Sequence, residues 1–183
     1  MVLTQSNMLP LGTELPNISL NNYKGSRYIQ PQEDKLGFVV AFICNHCPYV
    51  KAVIKDIVKD TKYLESLGIK SVAIMSNDVK NYPEDSFDNM IVFCKSNNFS
   101  FPYLFDESQD VAKNYGAVCT PDFFGYNKNL ELQFRGRIRE LKNLKPVREG
   151  DSDLKIAMKL IAESGSGPKN QVPSMGCNIK WFK

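Results

Sequence analysis

The sequence predicts an α/β protein, with a central mixed β-sheet flanked by helices, an N-terminal extension and a C-terminal tail. Three observations carry that prediction. Gly37-Phe38-Val39-Val40-Ala41-Phe42-Ile43 is a continuous apolar run of strand length, the pattern of a strand buried on both faces. Val50, Val53, Ile54, Ile57, Val58, Thr61, Leu64 and Leu67 then recur at helical spacing, which makes one face of a long amphipathic helix. Ile69-Lys70-Ser71-Val72-Ala73-Ile74-Met75 is a second apolar run. Strand, helix and strand in that order imply a parallel pair joined by a right-handed crossover.

The remaining elements follow along the chain. Residues 1–35 are rich in Pro, Gly, Asn and Gln, with short extended pieces such as Ile18-Ser19-Leu20. They read as an N-terminal layer of loops and edge strands. The long helix opens at Cys44-Asn45-His46-Cys47, with Pro48 in its first turn, and stops at Gly68. Phe87, Met90, Ile91 and Cys94 repeat the helical spacing, so a second helix is expected from Asp85 to about Asn97. Tyr103-Leu104-Phe105 is a short strand, and residues 108–115 form a short helix closed by Gly116. Residues 122–126 and 130–134 make a β-hairpin about Asn127-Lys128-Asn129, and this antiparallel addition makes the sheet mixed. Residues 152–163 form a last helix with Leu154, Ala157, Met158 and Ile161 inward. A Ser/Gly/Pro linker at 164–168 leads to a tail in which Ile179 and Trp181 read as anchors on an apolar patch.

A chain of 183 residues suits one domain spanning 1–183. With 23 basic and 20 acidic residues the formal charge is +3, too close to balance to predict a nucleic-acid or membrane-surface partner. No apolar stretch approaches the ~18 residues of a membrane span, and the N-terminus lacks a basic region followed by an apolar run. The expected location is a reducing cytoplasm, where cysteines are more often catalytic or metal-binding than structural. No cofactor and no metal is called for.

Five cysteines, at 44, 47, 94, 119 and 177, are an odd number at irregular spacing, unlike a disulfide framework. Cys44 and Cys47 stand apart as a C-x-x-C between a buried strand and a helix. Free N–H groups and the positive dipole end at a helix start stabilise an anion. A thiol of pKa ~8.5 is about 3% thiolate at pH 7, and lowering it to ~6.5 makes it roughly 75% thiolate. The expectation is therefore a redox dithiol, with Cys44 as the nucleophile and Cys47 as the resolving thiol. His46, the one histidine of the chain, lies between them and is expected to tune pKa and redox poise. Cys94 lies on the apolar stripe of its helix and reads as core. Cys119 and Cys177 are candidate accessory thiols, with packing as the alternative for each.

The order strand, C-x-x-C, helix, strand, helix, strand, then Thr120-Pro121, hairpin and helix resembles the thioredoxin superfamily. More narrowly, residues 42–50, residues 116–124 and the tail Gly176-Cys177-Asn178-Ile179-Lys180-Trp181 are similar to a thioredoxin-like branch of the alkyl hydroperoxide reductase/thiol-specific antioxidant (AhpC/TSA) group. The resemblance implies thiol–disulfide oxidoreductase or antioxidant activity. It also implies a cis peptide before Pro121, with Thr120 and Pro121 facing the dithiol and offering backbone to an extended substrate. Partners would be a protein or small-molecule disulfide and a thiol electron donor. Two departures stand out. The peroxiredoxin pattern P-x-x-x-T/S-x-x-C fits neither register: counting back from Cys47 gives Val40 and Cys44, and from Cys44 gives Gly37 and Ala41. Thioredoxin's buried acid, six residues before its first cysteine, is replaced by Phe38, leaving proton handling to water or His46.

Three rival readings remain at this level. One is a thiol peroxidase acting through a sulfenic acid at Cys44 or Cys47. Another is a zinc-binding module using Cys44, Cys47 and either Cys119 or Cys177, although no second C-x-x-C or His pair completes four ligands. The third is a thioredoxin-fold binding protein with vestigial redox activity.

Overall fold

The computed structural model describes residues 2–30 and 36–183; Met1 and residues 31–35 of the expected N-terminal layer lie outside the described residues. The first strands are β1 (Leu3–Gln5), β2 (Ser19–Asn22) and β3 (Arg27–Ile29), followed by β4 (Gly37–Phe42), α1 (Pro48–Ser66) and β5 (Ile69–Met75). A 3-10 turn at Pro83–Asp85 precedes α2 (Phe87–Ser96), β6 (Tyr103–Phe105) and α3 (Asp110–Asn114). Then come β7 (Cys119–Thr120), β8 (Asp122–Asn127), β9 (Leu132–Gly136), β10 (Leu141–Lys142) and β11 (Lys145–Pro146). The chain finishes with α4 (Asp153–Ser164) and β12 (Met175–Asn178).

Seven strands form the main sheet in the order β3-β2-β6-β5-β4-β8-β9. β4 runs parallel to β5 and antiparallel to β8, so the sheet is mixed, as expected. Because successive side chains of a strand point to opposite faces, β4 supplies two cores at once. Val39 and Ala41 enter the layer that holds Val53, Ile57, Met90, Cys94, Met158 and Ile161. Phe38, Val40 and Phe42 enter the other, with Val111, Ala112, Tyr115 and Ile179. Helices α1, α2 and α4 therefore cover one face, and α3 with the tail covers the second. Among the described residues, no helix is long and apolar enough to cross a membrane.

Two expectations need correction. The helix drawn from Asp85 starts late: Ser86 is the N-cap (φ −55°, ψ 157°) and its hydroxyl accepts from Asn89 N–H, so α2 begins at Phe87, two residues later. Ser86 is the better cap because a short side-chain oxygen there satisfies an orphan N–H, and the Asp85 carboxylate is engaged elsewhere. In the tail Ile179 is buried, but Trp181 is 36% exposed and anchors nothing in the core. Beyond Ile179 the chain is held by polar bonds instead: Lys180 N–H donates to Asn77 Oδ1, and the Lys180 carbonyl accepts from Asp78 N–H and Gln109 Nε2.

Directly after Pro121, Asp122 is fully buried against Arg135, whose Nη2 lies 3.2 Å from Asp122 Oδ2 and 2.9 Å from the Gly116 carbonyl. Burial pushes the Asp122 carboxyl up to about 6, with Arg135 pulling the other way. Removing one partner of such a pair strands the other charge. Arg135→Ala is expected to cost about 3–5 kcal/mol of stability. The loss should grow as pH rises above the ordinary carboxylate range, because the unfolded chain then ionises Asp122 freely while the folded one resists. Urea denaturation at pH 4 and pH 7 measures both effects.

Candidate active site

β4 ends at Phe42, and the chain leaves the sheet through residues 43–47 before α1 starts at Pro48. Cys47, not Cys44, is the N-cap of α1, in extended conformation (φ −64°, ψ 122°) with Pro at the first helical position. Proline is tolerated there because its missing N–H would be unbonded anyway. Pro48 stands in the first turn, as expected, and the N-cap falls on the last residue of the C-x-x-C segment rather than on Cys44.

Hydrogen bonds with the Cys177 and Cys44 thiols, with the Val50 backbone adding to them, lower the Cys47 pKa strongly despite burial. Cys44 moves the opposite way. Its bond to Cys47, burial and the nearby Asp85 charge hold it protonated, well above the ordinary thiol range. The downward pull expected at Cys44 falls instead on Cys47, through its hydrogen bonds with Cys177 and Cys44 before any helix N–H. Cys44 and Cys47 are both almost fully buried. Cys47 Sγ lies 3.3 Å from the Thr120 carbonyl and 2.6 Å from Cys177 Sγ, and Cys44 Sγ lies 3.5 Å from Thr120 Oγ1. Thr120–Pro121 is a cis peptide. The structure thus brings together Cys44, Cys47, Thr120, Pro121 and Cys177. Cys119 is different: it is buried on β7, and desolvation holds its thiol protonated. It pairs in register with Asn178 of the tail. Cys94 is core packing on α2, its thiol pushed up to about 12 by burial.

Sequence reasoning missed Asp85. It comes from the 3-10 turn, is fully buried, and receives the C-x-x-C loop: Asn45 N–H donates to Oδ1 at 2.8 Å and His46 N–H at 3.4 Å. Oδ2 takes His46 Nδ1 and Asn77 Nδ2, both at 2.7 Å. The buried acid absent from position 38 is thus supplied from another element. A Pro-Glu-Asp before a helix resembles an ordinary first turn, so no local signal marks it. Tyr103 completes the floor, donating its hydroxyl to Asn45 Oδ1 at 3.0 Å. His46 stacks on Tyr82 with ring centroids 5.9 Å apart.

Cys44, His46 and Asp85 present ligand atoms within 4.8 Å of one another. This differs from the cysteine set that a zinc module would use. A cation there would displace the Asn45, Asn77 and His46 bonds that hold the loop.

The chain matches the model of the AhpC/TSA family over residues 11–141. No curated protein sequence matches it. Among solved structures it is similar to an uncharacterized conserved protein from Geobacillus kaustophilus, at 37% identity and TM-score 0.93, covering 100% of this chain and 97% of that one. A hypothetical protein from Sinorhizobium meliloti 1021 is similar at 36% identity and TM-score 0.90, covering 98% of both chains. The thioredoxin domain of a thiol-disulfide oxidoreductase from Bacteroides vulgatus shares the fold at 14% identity and TM-score 0.58, covering 70% of this chain and 91% of that one. The fold is thioredoxin-like.

Asp85 raises the His46 pKa above its ordinary 6.5, chiefly through their hydrogen bond, while burial and Lys180 oppose it. A raised histidine stabilises the fold fully below its unfolded pKa, and that contribution is lost as pH rises through the folded value. NMR titration of the single imidazole is expected to show a midpoint above 6.5. Asp85→Asn should move it downward.

Proposed function

We propose, from the premise that this chain belongs to the AhpC/TSA family, that it is a thiol–disulfide oxidoreductase working through Cys44 and Cys47. The observation that carries the reading is the junction of a buried strand and a helix N-terminus. There Cys47 sits at the N-cap of α1, hydrogen bonds with neighbouring thiols pull its pKa down, and the Thr120–Pro121 turn lies against both sulfurs. A thiolate beside a protonated thiol is the resting state that disulfide exchange needs.

The charge distribution sets the order of events. Cys47 thiolate attacks one sulfur of a substrate disulfide. The substrate S–S bond breaks, a Cys47–substrate bond forms, and the departing thiolate takes a proton. Cys44 then attacks Cys47 Sγ, the Cys47–substrate bond breaks, and the proton leaving Cys44 passes to the departing sulfur, releasing the second substrate thiol. The protein is left with a Cys44–Cys47 disulfide, which a thiol electron donor reduces. This exchanges the roles expected from sequence for the two cysteines while keeping the pair. Thr120 and Pro121 bind substrate backbone, and His46 tunes the site. A cavity of about 280 Å³ beside Tyr49, Pro121, Pro173 and Met175 gives an approaching chain room next to the turn. A reducing cytoplasm would keep the thiols ready for such a substrate.

A second reading has its own observation. Counted back from Cys47, Cys44 stands where peroxiredoxins carry a Thr or Ser hydroxyl, and its thiol donates to Cys47 and lowers the pKa there. A peroxidase would use Cys47 as the sulfur oxidised to sulfenic acid.

Reduction of a protein disulfide, followed by turnover and by trapping, tests the first reading. Cys47→Ser is expected to fall to the uncatalysed rate. Cys44→Ser should accumulate a mixed disulfide on Cys47, and capture by Cys47→Ser instead would restore Cys44 as the attacking sulfur. Stopped-flow oxidation by hydrogen peroxide tests the second: a rate constant no higher than that of free cysteine removes the peroxidase.

A further inference from the structure

The C-terminal strand lies where a substrate would be expected. β12 pairs antiparallel with β7, and Cys177 stands opposite Thr120, the residue before cis Pro121. Adding an extended segment to an exposed strand is the common way to bind peptide backbone, and here the added segment is the protein's own. Its outer edge is covered by β1, with Leu3 opposite Cys177. The approach is close: a Cβ at Gly176 would collide with the Thr120 carbonyl and crowd Pro121 Cδ. Glycine is what lets the tail backbone lie against the turn. That seating brings Cys177 Sγ to 2.6 Å from Cys47 Sγ.

The tail is also wired to the rest of the site. Lys180 N–H donates to Asn77 Oδ1, and the same side chain's Nδ2 donates to Asp85 Oδ2. One amide therefore spans the docked tail and the carboxylate that holds the C-x-x-C loop and His46.

We propose that β12 is a built-in substrate mimic and that Cys177 is a third redox-active residue, exchanging with the Cys44–Cys47 disulfide to form Cys47–Cys177. This rests on the oxidoreductase reading, in which a substrate disulfide has first oxidised the pair. Cys177 as thiolate attacks Cys47 Sγ; the Cys44–Cys47 bond breaks and the Cys47–Cys177 bond forms. Cys44 leaves as thiolate and takes the proton that Cys177 gave up, so no further oxidant is consumed. The product locks the tail across Thr120, where it already lies, and so holds the backbone site closed to external chains. Attack by Cys44 on Cys47 reverses the step and leaves the strand held by its hydrogen bonds and packing alone, able to open locally.

The test is disulfide mapping by mass spectrometry of the full chain, equilibrated with oxidised and reduced glutathione, alkylated and digested with trypsin. Cleavage after Lys51 and before the tail separates Cys44 and Cys47 from Cys177. Wild type is expected to yield both Cys44–Cys47 and Cys47–Cys177, and Cys44→Ser the Cys47–Cys177 link alone. Gly176→Ala, which leaves every sulfur in place, should keep Cys44–Cys47 and lose Cys47–Cys177. If wild type and Cys44→Ser form no link to Cys177 while Cys44–Cys47 forms, the mimic is overturned and the oxidoreductase reading stands. If Cys44 and Cys47 never pair at any glutathione ratio, the oxidoreductase reading itself fails. A Cys47–Cys177 link undiminished in Gly176→Ala would show that strand docking does not direct the exchange, and would also overturn the proposal.

Discussion

One buried carboxylate organises the site. Asp85 has no exposed surface, yet it accepts from two backbone N–H groups of the C-x-x-C loop, from His46 and from Asn77. An unpaired charge at that depth would be very costly, so these four donors stay in place, and they do three different things. Two hold the loop between β4 and α1, one orients the imidazole, and one reaches the tail. Through this single group, the geometry around Cys44 depends on a turn some forty residues further along the chain.

The dithiol shows how a sulfur's neighbours outweigh its position in a motif. Both cysteines are buried to the same degree, and burial alone would raise both pKa values. What separates them first is their hydrogen-bond partners. Cys47 stands at the N-cap of α1 against Cys177 and Cys44, which pull its pKa down, whereas Cys44 sits before the cap, next to Asp85. The same carboxylate that fixes the loop thus repels charge from the first sulfur, and the two effects push the proton in one direction.

The tail adds a second layer to this arrangement. Had the chain ended at α4, the edge of β7 and the Thr120–Pro121 turn would face outward with unpaired backbone groups. β12 pairs with that edge, and β1 pairs with β12 in turn. Ile179 then fixes the segment in the second core, and the polar bonds of Lys180 tie it to Asn77, Asp78 and Gln109. A strand held by a few ladder bonds and one apolar anchor is the kind of element that can open locally without unfolding the domain. Such an element suits a cover over reactive sulfurs better than a packed helix would.

Local pattern alone determined the elements that build the sheet. The runs at 37–43 and 69–75, the helical stripe from Val50 and the strand Tyr103–Phe105 are legible because apolar periodicity reflects burial on one or two faces. The nearness of Cys44 and Cys47 followed from spacing, and the Thr120–Pro121 turn from resemblance. Only the tertiary structure decided which partners each sulfur meets, because Thr120, Cys177 and the first turn of α1 come from separate elements. Asp85 was beyond sequence reasoning for a similar reason, and Cys177 was a candidate accessory thiol that sequence alone could not place. Their contacts span 39 and 130 residues of chain, and neither leaves a periodic trace. A sequence records what each segment buries; which segments then meet is settled by how the layers pack.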